Sequence, residues 1–161
     1  METLIIFRND RRCIILPSVF DDICLPKLRT LAVRDYTIED NGIVEMIKTA
    51  TLVKLDLSKC EIEESLLLKI TRACPRLKEL NLSISSMTPI TDDILSAIST
   101  TCSQIAHLNI CDAYDVTDAG ILTMVQNLKG LQSLNIIEAE ILTDGNTQTE
   151  LEILTIHFAH C

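Results

Sequence analysis

The sequence predicts an α/β solenoid: a right-handed stack of repeated units, with about seven parallel strands on the concave face and helices on the convex face. Three observations predict it. A motif with apolar residues at its first, fourth and sixth positions recurs along the 161 residues at a nearly fixed period. The segments between its copies repeat a second pattern, with apolar residues at helical spacing. The composition is 47% hydrophobic but only 3% aromatic, so the core must be built from layers of Leu, Ile and Val. The hand follows because a strand, crossover and parallel strand pack back onto their sheet almost always in the right-handed sense.

The strands come in chain order. "METLIIFRN" places Met1, Leu4 and Ile6 on the template, and "LRTLAVRDY" places Leu28, Leu31 and Val33. "LVKLDLSKC" gives Leu52, Leu55, Leu57 and a ninth-position Cys60; "LKELNLSIS" gives Leu77, Leu80 and Leu82. "IAHLNICDA" supplies Ile105, Leu108 and Ile110, "LQSLNIIEA" supplies Leu131, Leu134 and Ile136, and "LEILTIHFA" supplies Leu151, Leu154 and Ile156. The segments start near 1, 28, 52, 77, 105, 131 and 151, in steps of 27, 24, 25, 28, 26 and 20 residues. Residues 1–161 therefore read as one repeat domain.

The connecting segments "TIEDNGIVEMIKTA", "EIEESLLLKITRAC", "PITDDILSAISTTC" and "DVTDAGILTMVQNL" share an aliphatic residue, then Thr or Glu, then an acid. Counting from that acid, Glu64 is followed by Leu67, Ile70 and Cys74, Asp92 by Leu95, Ile98 and Cys102, and Asp118 by Ile121, Met124 and Leu128. Offsets of three, six and ten fall on one helical face. Thr91 and Thr117 are placed to cap free N–H groups, and the acids sit at the positive end of the helix dipole. Thr143-Asp144 opens the same signal, but too few residues precede Leu151 for a helix of ordinary length.

The double pattern resembles the cysteine-containing leucine-rich repeats, in which L-x-x-L-x-L-x-x-C is followed by I-T-D, a helix and a Cys near its end. That resemblance implies a leucine-rich-repeat solenoid of the kind found in the substrate-binding half of F-box/leucine-rich-repeat ubiquitin-ligase receptors and in the Amn1 family of mitotic-exit regulators. It covers Met1 to about Ala159 and departs from the pattern at the strand-end cysteine, which only Cys60 keeps. The implied function is protein–protein recognition. The alternative is a leucine-rich-repeat regulator or inhibitor of an enzyme such as a GTPase or nuclease, but those repeats are typically longer, about 28 residues, than the 25-residue average here. An F-box would occupy some forty helical residues ahead of the repeats, whereas the first strand begins at Met1, so this chain by itself is not expected to recruit a ligase.

Composition narrows the classes further. The net charge of −9 argues against nucleic acid, whose binding draws on Lys and Arg at phosphates. No apolar run is long enough for a membrane span, and the N-terminal residues lack the order of a secretory signal. Seven cysteines without such a signal read as free thiols in an intracellular protein. Cys60, Cys74 and Cys102 belong in the core, while Cys111 is expected to face outward. His157, His160 and Cys161 do not complete a four-ligand metal site, and no phosphate loop, nucleophile elbow or zinc-protease motif occurs. No cofactor and no catalysis are expected.

Function is therefore sought on the strand face turned away from the leucines. The central outward column runs Ile5, Ala32, Asp56, Asn81, Asn109, Asn135 and Thr155, and its neighbour runs Phe7, Arg34, Ser58, Ser83, Cys111, Ile137 and His157. Side chains fixed by a sheet lose little entropy on binding. The expected partner-binding patch is Asp56, Asn81, His107, Asn109 and Asn135, with Arg34 on its N-terminal side. The chain also starts and stops near strands, so the expectation is either a piece of a longer repeat protein or uncapped ends covered by a partner or, through self-association, by a second copy.

Overall fold

The computed structural model describes residues 2–7, 25–39, 41–83, 90–110, 113–136 and 155–157. The strands are β1 (Thr3–Phe7), β2 (Thr30–Arg34), β3 (Thr37–Ile38), β4 (Lys54–Asp56), β5 (Glu61–Ile62), β6 (Glu79–Asn81), β7 (His107–Asn109), β8 (Ser133–Asn135) and β9 (Thr155–His157). The helices are α1 (Gly42–Ile47), α2 (Glu64–Ala73), α3 (Asp92–Thr101) and α4 (Asp118–Asn127). Seven strands form one sheet in the order β1-β2-β4-β6-β7-β8-β9, and every pairing is parallel. β3 and β5, each following a main strand and preceding a helix in the chain, form a second, two-stranded parallel sheet.

The template leucines are the core. Leu31, Leu55, Leu80, Leu108 and Leu134 stand in register across β2 to β8, none more than 2% exposed. The helical residues at offsets three, six and ten from Glu64, Asp92 and Asp118 join the same buried cluster. The helices thus cover one sheet face and pack in chain order, leaving the other face to the outward columns. A ten-residue helix buried along one stripe gains most of its stability from that packing, since a helix this short is marginal alone.

The helix starts follow the acid signal. α2, α3 and α4 begin at Glu64, Asp92 and Asp118, and Thr91 and Thr117 accept from the N–H groups of Ile94 and Gly120 at 3.4 and 3.5 Å. Asp92 does more than face the dipole: its carboxylate accepts from the backbone N–H and the hydroxyl of Thr117 in the next unit, at 2.8 and 2.6 Å. α1 is only six residues, from Gly42, with Asn41 making no side-chain cap.

Cysteines replace larger residues where one unit meets the next. Cys102 Sγ lies 3.4 Å from the carbonyls of both Thr71 and Cys74, at the C-terminal end of α2, and Cys60 Sγ lies 3.1 Å from the Val33 carbonyl. The Thr71 and Cys74 carbonyls already accept the N–H groups of Cys74 and Leu77 at 2.9 and 3.2 Å, and each has a second lone pair facing the small buried S–H. All three expected core thiols are buried and free. Burial pushes their pKa values up, to about 11 for Cys60, about 12 for Cys74 and about 11 for Cys102. Cys111 lies outside the described residues.

One register differs from the sequence reading. β9 pairs Thr155 with Ser133 and His157 with Asn135. His157, not Thr155, therefore continues the central column, because the main-chain ladder fixes register where an imperfect last repeat allows two alignments.

Candidate functional site

Strand pairing aligns two outward columns on the open sheet face. Thr30, Lys54, Glu79, His107 and Ser133 form one; Ala32, Asp56, Asn81, Asn109 and Asn135 form the other. Neighbours within a column are separated by the inter-strand spacing of about 4.8 Å. A hollow of about 430 Å³ opens on this face, and Arg34, Asp56, Asn81, His107, Asn109 and Asn135 all line it. The six residues singled out in the sequence are thus brought to one place.

Their individual states differ from the expectation of a uniformly presented row. Asp56 is only 4% exposed. Arg34 Nε and Nη2 both donate to Asp56 Oδ2, at 2.8 and 2.5 Å, and the Ser58 N–H donates to Oδ1 at 3.0 Å. Burial pushes the Asp56 pKa up, but the hydrogen bonds from Ser58 and the Arg34 guanidinium outweigh it, so the carboxyl titrates below its ordinary value. Asp56 and Arg34 form one ion pair spanning two strands, not two independent contacts.

Asn81 repeats half of that arrangement: its Oδ1 accepts from the Ser83 N–H at 3.1 Å. This side-chain turn satisfies the backbone where the strand ends and leaves the carboxamide nitrogen with two donors for solvent or ligand. Asn109 is half-buried and has an interaction of its own. Asn135 Oδ1 is buried without a hydrogen-bond partner. His107 is exposed.

Sequence reasoning missed three polar members of the wall, whose floor is formed by Leu55, Leu80 and Leu108. Lys54 and Glu79 pair across β4 and β6 at 2.7 Å, and Ser133 continues their column. Opposite charges at one template position of successive repeats were the available signal. The "DLS" and "NLS" spacings likewise announce the turns that engage Asp56 and Asn81. Among the described residues, no group of His, Cys, Asp and Glu could hold a metal ion, and no helix is long and apolar enough to cross a membrane.

No family model matches the chain, and no curated protein matches it. The solved structure of an internalin, InlF, from Listeria monocytogenes is similar in fold, with a TM-score of 0.58 at 19% identity over 96% of this chain. The chain spans 39% of that protein's length. Internalin is a leucine-rich-repeat protein. At that identity the likeness concerns the fold alone, and it supports a leucine-rich-repeat-like α/β fold.

Proposed function

We propose that this chain is a right-handed leucine-rich-repeat solenoid, concave on its open sheet face, that recognises another protein there and performs no chemistry of its own. One observation carries the reading: six residues from five repeats, chosen by template position, line a single hollow on a face whose spacing is set by main-chain bonding. A polar, partly pre-satisfied wall offers hydrogen-bond donors at Asn81 with little side-chain freedom left to lose. The finer assignment, a substrate-binding region like that of F-box/leucine-rich-repeat ubiquitin-ligase receptors or an Amn1-like regulatory binder, is supported by the I-T-D helix starts and the helix-end cysteines. An intracellular setting belongs to the same reading, supported by three free buried thiols.

The test is affinity capture from native lysate with mass spectrometry, followed by substitution. Asn81→Lys is expected to abolish capture of the partner. Asn81→Asp keeps an oxygen for the Ser83 N–H but loses both donors, so it is expected to weaken capture while leaving the melting temperature near that of the parent. Helix-face changes Glu63→Lys and Asp93→Lys are expected to leave capture unchanged. Loss of capture in the helix variants with retention in Asn81→Lys would overturn the sheet-face assignment.

A further inference from the structure

Net charge conceals how the charges are distributed. Each helix carries acid in its first turn: Glu45 in α1, Glu64 in α2, Asp92 and Asp93 in α3, Asp118 in α4. Each helix lies between consecutive parallel strands of the main sheet, so their N-termini share a rim, and the helix dipoles account for acid there. The opposite rim, where chains leave helices and enter strands, carries Lys27, Arg29, Arg72, Arg76 and Lys78, all exposed. Helix dipoles, which act within the last turn, account for one of these cations and not for the other four. Arg72 is the only base in a last turn among the described helices, and the other four lie in the links before β2 and β6.

The links repeat each other, as "PKLR" and "PRLK". Arg29 and Lys78 are held by the main chain: the Lys54 N–H donates to the Arg29 carbonyl at 3.0 Å, the Lys78 N–H to the Val53 carbonyl at 2.8 Å, and the His107 N–H to the Lys78 carbonyl at 2.9 Å. Arg29 and Lys78 are therefore two strand spacings apart, about 9.6 Å. That is close to three residues of extended polypeptide at about 3.3 Å each. Among the described residues none of the five cations is in an ion pair, the pairs there using Arg34, Lys48 and Lys54 instead.

We propose that this basic rim is a docking surface for an acidic polypeptide segment, separate from the sheet-face hollow. The molecule's overall acidity does not prevent it. A ten-residue helix separates the rims by about 15 Å, roughly twice the Debye length of about 8 Å at physiological salt, so the acidic rim is largely screened from a ligand on the basic one. A single extended chain fits within that distance. A nucleic-acid duplex is broader and would overlie the acids, and a chain with no Trp and 3% aromatics offers little base stacking to a single strand.

The experiment is fluorescence anisotropy of labelled oligoglutamate titrated with the full chain at low and physiological salt, with oligothymidylate as a parallel probe. Oligoglutamate is expected to bind, more weakly as salt rises. The combined reversal Lys27→Glu, Arg29→Glu, Arg76→Glu and Lys78→Glu is expected to lower affinity by about tenfold or more, and the corresponding glutamine set by less, because each exposed pair contributes a fraction of a kcal/mol. Circular dichroism melting identifies which set is folded and therefore informative. Glu63→Lys with Asp93→Lys, on the far rim, is expected to leave affinity at physiological salt unchanged. Absence of binding, equal binding by the folded rim variants, an equal response to the far-rim changes, or tighter binding of oligothymidylate than of oligoglutamate would each overturn the proposal.

Discussion

At Gly120 a β-carbon would run into the Asp92 carboxylate, the same group that takes two hydrogen bonds from Thr117. Alanine ordinarily favours a helix interior over glycine by about 1 kcal/mol. Here overpacking against a held carboxylate costs about 1–3 kcal/mol, so Gly120→Ala is expected to destabilise, by urea denaturation, while Gly130→Ala, with nothing within 4 Å, stays near neutral or better. Asp56 gives a pH prediction at the same scale. Its folded pKa is depressed, so its contribution is fully present above the unfolded carboxylate value and is lost as pH falls through the lower folded value. The stability gap between the parent and Asp56→Asn should therefore be constant near neutrality, shrink below about pH 4 and level off once Asp56 is protonated. A gap that stays unchanged down that range would show that the charge of Asp56 does not stabilise the fold.

The element scale is governed by how each helix is tied to its neighbour. Thr117 caps α4 and also donates to Asp92 at the start of α3, so one side chain serves two units. Thr117→Val is expected to cost about 1–2 kcal/mol, with most of it restored by Thr117→Ser in the same denaturation series. The helix-end thiols belong to this scale as well. With pKa values near 11, 12 and 11 instead of the ordinary 9.0, Cys60, Cys74 and Cys102 hold little thiolate at neutral pH as well as being enclosed. Alkylation of folded protein, mapped by peptide mass, should label all three only as fast as the chain opens.

Across the whole molecule, the seven strands of the main sheet are stacked in the order in which the chain supplies them, so stability propagates from unit to unit. Leu80, 2% exposed on β6, has strands on both sides. Leu80→Ala is expected to cost about 2–5 kcal/mol. Amide exchange should rise first in β4, β6 and β7 and least in β1, and a uniform rise along the chain would show instead that the stack unfolds as one unit.

Much of this architecture was legible because leucine position and helix offset are local. Template residues such as Leu55, Leu108 and Leu134, and helix starts at Glu64, Asp92 and Asp118, are set by a periodicity the chain carries wherever it folds. The six residues that line the hollow could be chosen for the same reason, since alternation in a strand dictates which side chains leave the core. Pairing between repeats was not legible. Arg34 and Asp56 stand 22 positions apart, Asp92 and Thr117 25 apart, and each meets its partner only when adjacent units stack. The register of β9 depended on the ladder, and the gathering of cations onto one rim depended on every helix returning in the same direction. The sequence by itself determined what each repeat is. The tertiary structure decided which repeat residues satisfy one another and which stay at the surface, because hydrogen bonds and charge act across space between units that periodicity alone cannot align.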